Sequence, residues 1–236
     1  MGVVLAHLML LRRCVAVGLD QRVANRMVAA ALVGGLLAAH LAKFLYEPAL
    51  LLSDPWVIFR ATAGISSFGG IAGGLLCGIA MLRASGVPVL AYIDALAYAF
   101  PFGWMLGRLG CVLVGDHPGI AAGGWFTRDF EGVSRYDLGL LELVLFAMPV
   151  AGLFTWLGTK ARGRGFFVVL FFVAYGPFRL VLDQLHEQPP RYGPLSVDEW
   201  FGLLLTAAGL AIGLWLWRQP AGPIPPGATS KAPAHR

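Results

Sequence analysis

Charge is scarce in this chain. Asp, Glu, Lys and Arg make up 13 % of its 236 residues, against about 25 % in a soluble globular domain. That is too little to cover a body facing water on all sides, which excludes a soluble fold. Cysteine is scarce too. Cys14, Cys77 and Cys111 form an odd set without metal-ligand spacing, so neither a disulfide framework nor a zinc site is expected. The apolar stretches lack strict alternation, which weighs against a membrane barrel of strands. Glycine and proline are not scarce, at 31 and 15, but most glycines sit inside apolar runs and do not signal disorder.

What is abundant is apolar surface: 58 % of the residues are hydrophobic. The reading is an all-α integral membrane protein. Apolar runs lie near 24–45, 62–82, 88–115, 137–159, 165–186 and 197–217. Each can cross ~30 Å of hydrocarbon at about 1.5 Å per residue. A further run, Val3 to Leu11, is too short to span. Its Arg12 and Arg13 follow the apolar stretch, whereas a secretory signal carries its positive charges in front. It reads as the lower half of a first transmembrane helix, either stunted or continued from an upstream start. The expectation is nominally seven transmembrane helices, the first truncated, in a single domain over 1–217. Residues 218–236, rich in Pro, Gly and Ala, are expected to form a disordered cytoplasmic tail.

Charge sets the expected orientation. With the N-terminus outside, the inside segments hold Arg12, Arg13, Arg22, Arg26, Arg83, Lys160, Arg162, Arg164, Arg218, Lys231 and Arg236 against the single acid Asp20. Lys43, Arg60, Arg128, Arg135 and Arg191 fall outside with most of the acids. Inverting the chain would violate the positive-inside rule, so the C-terminus is expected in the cytoplasm. The same distribution explains the net charge of +5 without a nucleic-acid partner.

Polar residues inside the spans are the sharper signal, because a charge at the bilayer centre costs ~2.5 kcal/mol or more. Arg108 and Arg179 each lie seven residues below the outer ends of their helices, at Gly115 and His186. Both are therefore ~10 Å beneath the outer surface. His40, Glu142, Ser66 and Ser67 sit four or five residues from the outer ends of their own spans, and Asp116, His117, Asp183 and His186 lie at the rim. Only Asp94 is near an inner end. Two planar, permanently charged guanidiniums at one depth suit a phosphodiester entering sideways from the outer leaflet. Structural roles compete: Arg179 can pair with Asp183 at i+4, Glu142 can neutralise one arginine, and His40 can be a packing residue. Arg108 has no acid at i±3 or i±4. Glycines at i+4, Gly70-Gly74-Gly78 and Gly103-Gly107, read first as helix-packing contacts and second as room for a lipid.

The segment from Gly107 and Arg108 through Gly110 and Cys111 to Gly115 and Asp116 resembles the signature of prolipoprotein diacylglyceryl transferases, roughly G-R-x-G-N-F-x-N-G-E. Ser66-Ser67-Phe68-Gly69-Gly70 resembles that family's S-F-H-G-G. Tyr175-Gly176-Pro177-Phe178-Arg179, followed by Asp183, resembles its Y-G-x-x-R-F-x-x-E, and Tyr136-Asp137 with Glu142 resembles its L-Y-E-x-L-L-E. The resemblance covers roughly residues 2 to 217 and includes the seven-span layout with the N-terminus outside.

It implies transfer of the diacylglyceryl group of phosphatidylglycerol to the cysteine thiol of a prolipoprotein, with release of glycerol phosphate, in the bacterial inner membrane. Arg108 and Arg179 would hold the phosphate and stabilise the leaving group. Ser67, Gly69, Gly70, Gly110, Asp116, Glu142, Tyr175 and Asp183 would line the substrate site, with the signal-peptide region of the precursor as protein partner. No metal or cofactor is implied. The family's histidine is Phe68 here, its two asparagines are Cys111 and Val114, and an arginine expected on the second helix is His40. A thiol of pKa ~8.5 needs a base or a stabilising charge near pH 7, and His40 is the candidate. Two other readings stand beside it: a non-catalytic relative that binds anionic lipid or precursor, and a transporter or scaffold, for which internal repeats would be expected.

Overall fold

The computed structural model describes residues 1–46, 52–60, 67–160, 162–187 and 191–219. Ser66 and the expected tail from residue 220 onward lie outside the described residues, as do the side chains of Ser67 and Phe68. The chain divides into two compact units, Leu19–Tyr92 and Met1–Gly18 with Ile93–Arg236.

The Leu19–Tyr92 unit is built on helices α2 (Gln21–Tyr46) and α3 (Ser67–Ala84). Small residues let the two backbones meet. A methyl added at Gly35 would lie 2.9 Å from the Gly70 carbonyl oxygen, and one at Gly74 would lie 3.0 Å from that of Ala31. Gly70, Gly74 and Gly78 all face α2, so this stripe is a packing seam. The opposite face of α2 stays bare: Leu36 is 64 % and Leu37 60 % exposed, as suits contact with lipid.

The larger unit begins with α1 (Gly2–Ala16), followed by α4 (Val89–Val114, from Ile93 on), α5 (Leu138–Gly158), α6 (Phe166–Asp183) and α7 (Val197–Arg218). Among the described residues, five helices are long and apolar enough to cross a membrane: α2, α4, α5, α6 and α7, while the apolar part of α3, Gly69–Ala84, is shorter. Their positions follow the apolar runs of the sequence. An integral membrane protein is the architecture these helices fit.

The spans are helical, as expected, and the connections add two small sheets. After α4, strands β1 (Pro118–Ala121), β2 (Thr127–Phe130) and β3 (Val133–Asp137) form an antiparallel sheet in the order β1-β3-β2. The β2–β3 hairpin closes on Glu131 and Gly132, both with positive φ (55° and 84°), the two-residue turn that matches strand twist. Asp129 accepts from the Gly132 amide at 2.8 Å. A second, two-stranded sheet pairs β4 (Arg191–Tyr192) with β5 (Leu195–Ser196).

Aromatic side chains fill the space between α5 and α6. Phe146, Val150, Phe154, Phe167, Phe171 and Tyr175 form the buried cluster, and Tyr98, Phe100 and Trp104 of α4 pack on it. At one end Asp94 Oδ1 accepts from the amides of Phe167 (2.7 Å) and Val168 (3.0 Å), satisfying orphan donors of the first turn of α6. Arg13 donates to the Gly158 carbonyl nearby and lies 4.8 Å from the Tyr98 ring centre and 4.9 Å from that of Phe167. Asp94, the exception in depth among the polar residues, is thus a helix cap.

Candidate functional site

Glu142 ends the first turn of α5, directly before a π-helical stretch, Leu143–Ala147. Such a bulge shifts side-chain register within a helix and recurs at functional sites. The Glu142 side chain is buried and meets two arginines. Its Oε2 lies 2.7 Å from Arg108 Nη2 on α4 and 3.8 Å from Arg179 Nη1 on α6. Its Oε1 accepts from the Tyr175 hydroxyl at 3.1 Å. Four of the residues singled out in the sequence, Arg108, Glu142, Tyr175 and Arg179, are therefore in contact.

Each arginine has a second anchor. Arg108 stacks over the Trp104 ring at 5.0 Å from its centre. Arg179 Nη2 donates to Asp198 Oδ2 at 2.5 Å. The i+4 partner expected for Arg179, Asp183, is engaged elsewhere: its Oδ2 accepts from Ser196 Oγ at 2.6 Å. Ser196 caps α7 in a reciprocal box with Glu199, whose Oε1 also accepts from Gln184. Asp183 thus ties the end of α6 to the start of α7, and this brings Asp198 within reach of Arg179. Asp198 carried no sequence signal of its own, although the Ser196-x-x-Glu199 spacing marks the helix start beside it.

Asp116 joins the group through its neighbour. Its Oδ1 lies 2.5 Å from His117 Nδ1, and His117 Nε2 lies 3.5 Å from Arg108 Nη1. Arg108 Nη1 also points at Cys111 Sγ, 3.9 Å away. The hydrogen bond to His117 holds the exposed Asp116 carboxyl below its ordinary pKa. His186, at the end of α6, is held below the usual imidazole range by burial first and by Arg179 second. Strand β1 fixes this end of α6, since Ile120 donates to the Leu185 carbonyl at 2.8 Å. A thiol, a carboxylate and an imidazole thus come within 4.8 Å of one another at Cys111, Asp116 and His117. The adjoining Arg108 guanidinium disfavours a metal cation at that place.

Gly107 and Gly110 flank Arg108 along α4. A methyl added at either would meet no described atom within 4 Å. These glycines leave open space along α4 on faces other than the one that carries the Arg108 side chain, in contrast to Gly103, where a methyl would lie 2.7 Å from Ala6 Cβ and from the Gly2 carbonyl oxygen.

The remaining predicted residues lie in the other unit. Ser67 opens α3, and Gly69 and Gly70 serve its seam with α2. His40 sits on α2, with Nε2 2.7 Å from the Ile58 carbonyl oxygen and its ring edge-on to Phe44. That contact requires the proton on Nε2.

Comparison with known proteins agrees with the resemblance read from the motifs. The family model for prolipoprotein diacylglyceryl transferase matches residues 1–215. A phosphatidylglycerol–prolipoprotein diacylglyceryl transferase of Bordetella parapertussis is 32 % identical over 181 residues, covering 72 % of this chain and 63 % of the relative. One from Teredinibacter turnerae is 29 % identical over 188 residues, 75 % of this chain and 65 % of the relative. One from Methylobacillus flagellatus is 26 % identical over 175 residues, 72 % and 67 % respectively. The chain thus spans less than two thirds of the Bordetella and Teredinibacter relatives. With a match over nearly its whole length, and with the signature arginines meeting on one buried glutamate, the chain belongs to the prolipoprotein diacylglyceryl transferase family.

Proposed function

We propose that the protein transfers the diacylglyceryl group of phosphatidylglycerol to the cysteine thiol of a prolipoprotein, in the inner membrane of a bacterium, with its N-terminus outside and its C-terminus in the cytoplasm. The observation that carries the reading is the convergence of Arg108 and Arg179 on Glu142. The names of the relatives support the substrates. Charge in the reaction moves onto the phosphate oxygen that leaves the glyceryl carbon. Two fixed guanidiniums there lower the barrier because they are already oriented. Glu142 holds their spacing, and Asp198, more exposed than Glu142, is the partner on Arg179 that an incoming phosphate would replace. The open turn at Gly110 admits the lipid. Asp116, Tyr175 and Asp183 keep the arginine-bearing segments in place.

The test is transfer by the purified protein in detergent, from labelled phosphatidylglycerol to a peptide carrying a signal-peptide segment and a free cysteine, together with rescue of a bacterium depleted of its own transferase. Labelled thioether product and growth are expected. Absence of both would overturn the reading. The sequence at Phe68, where the family has histidine, favours one alternative: a relative that binds anionic lipid without transferring it. Retained binding of phosphatidylglycerol with no product would select it.

A further inference from the structure

We infer that His117, oriented by Asp116, is the base that takes the proton from the acceptor thiol, an assignment that rests on the transferase reading above. The reaction requires the S–H proton to leave as sulfur bonds to the glyceryl carbon, and few groups beside the arginines are free to accept it. Glu142 has both oxygens engaged, one by Arg108 and Arg179 and the other by Tyr175. Asp198 is held by Arg179, and Asp183 is out of a substrate's reach: its Oδ2 accepts from Ser196 and its Oδ1, which has no hydrogen-bond partner among the described residues, is fully buried. His117 differs. Asp116 Oδ1 accepts the Nδ1 proton, which leaves Nε2 with a lone pair whose one described partner is Arg108 Nη1, at the long distance of 3.5 Å that an incoming thiol can displace. Nε2 faces Arg108, 3.5 Å from Nη1, on the same guanidinium that Glu142 holds by Nη2. The base is thereby placed at the phosphate-binding group. The imidazole is part-exposed, so a substrate thiol can reach it.

The step balances. The thiol proton passes to His117 Nε2 as the sulfur forms its bond to the glyceryl carbon. The bond from that carbon to the phosphate oxygen breaks, and its electron pair leaves with glycerol phosphate on Arg108 and Arg179. The imidazolium then returns its proton to the phosphate or to water. The charged and titratable groups that face His117 are Arg108 and Cys111 from α4, Asp116 beside it and His186 from the end of α6. On the strand side Arg128 and Asp137 face each other at 3.7 Å.

The experiment measures transfer from phosphatidylglycerol to the cysteine peptide between pH 6 and 9 for wild type, His117→Gln, Asp116→Asn, His186→Gln and His40→Gln. His117→Gln is expected to lose about a hundredfold at pH 7. That loss should shrink to less than about tenfold near pH 9, where a thiol of pKa ~8.5 ionises without help. Asp116→Asn should lower transfer at pH 7 less than His117→Gln does, because the ring keeps a basic nitrogen and loses only the carboxylate that fixes its tautomer. If His117→Gln is poorly folded, His117→Gly with added imidazole replaces it, and rescue is expected. Wild-type rate in His117→Gln, a loss equal at pH 7 and 9, or failure of imidazole to rescue would each overturn the assignment while leaving the transferase reading intact. So would the pH-reversible loss occurring in His40→Gln or His186→Gln instead. An inactive wild type would overturn both.

Discussion

Arg108 and Arg179, 71 positions apart in sequence, reach the same oxygen of Glu142 from two different helices, at 2.7 Å and 3.8 Å. The glutamate therefore sets the separation of the two cations. Removing it leaves the largely buried Arg108 without its carboxylate, while Arg179 keeps Asp198, and breaking a buried pair in this way costs about 3–5 kcal/mol. Glu142→Ala should lower the thermal midpoint in detergent markedly more than Asp198→Ala, whose site is nearer solvent. Equal midpoints for Glu142→Ala and wild type would remove the glutamate from this role.

The arginines are expected to act on rate. Arg108→Ala and Arg179→Ala should each lower transfer about a hundredfold, corresponding to ~3 kcal/mol of transition-state stabilisation. Lysine should rescue poorly, because it keeps the charge and loses the planar fork that spans two oxygens. Full activity in either alanine variant at equal membrane abundance would refute the assignment.

Asp94 is expected to matter for stability alone. Asp94→Ala removes the acceptor for two amides at the start of α6, a loss worth about 0.5–2 kcal/mol. Thermal unfolding should shift accordingly, while transfer measured below the transition stays near the wild-type rate. A large loss of transfer at an unchanged midpoint would count against a capping role.

The depressed pKa of His186 gives stability a pH dependence of definite sign. Burial, then Arg179, favours the neutral ring in the folded state, whereas the unfolded chain keeps a histidine near pKa 6.5. Between the lowered folded value and 6.5 the unfolded state binds more protons, so stability rises with pH through that window. The contribution is complete above about pH 6.5 and is lost as pH falls below it. Asp183, Asp198 and His117 are the other charged or titratable groups that influence the ring. Thermal midpoints from pH 7.5 down to 5.5 should fall more steeply for wild type than for His186→Gln. Parallel curves would show that His186 is not the group responsible.

Five of the expected spans are legible because apolar run length and membrane thickness are tied by a simple rise per residue. Equal depth pairs Arg108 with Arg179, and Glu142 falls in the same outer half of the membrane. What stayed hidden was which acid each arginine meets. Asp183 sits one helical turn from Arg179, but its bond to Ser196 at the turn into α7 turns it away, and Asp198 arrives from a helix start that depth-counting did not resolve. His117 looked like a solvated rim residue because its value depends on a neighbour's carboxylate and on a guanidinium nine residues back. The small sheets were missed since short, polar outer connections carry little periodicity.

The two kinds of glycine on α4 separate packing from access. At Gly103 a side chain collides with α1, since its Cβ would lie 2.7 Å from Ala6 Cβ. Gly103→Leu should therefore destabilise the protein. At Gly110 no described atom lies within 4 Å of the new Cβ, and replacing a helical glycine by alanine contributes about 1 kcal/mol. Gly110→Ala should hold or raise the thermal midpoint. Gly110→Leu should fold as well as wild type yet project a branched side chain into the open space along that face of α4, which the lipid is proposed to enter. Its KM for phosphatidylglycerol should rise severalfold, with a smaller effect at saturating lipid. If Gly110→Leu transfers with the wild-type KM, the open turn is not the route of the lipid. If it unfolds like Gly103→Leu, the turn is a packing contact after all.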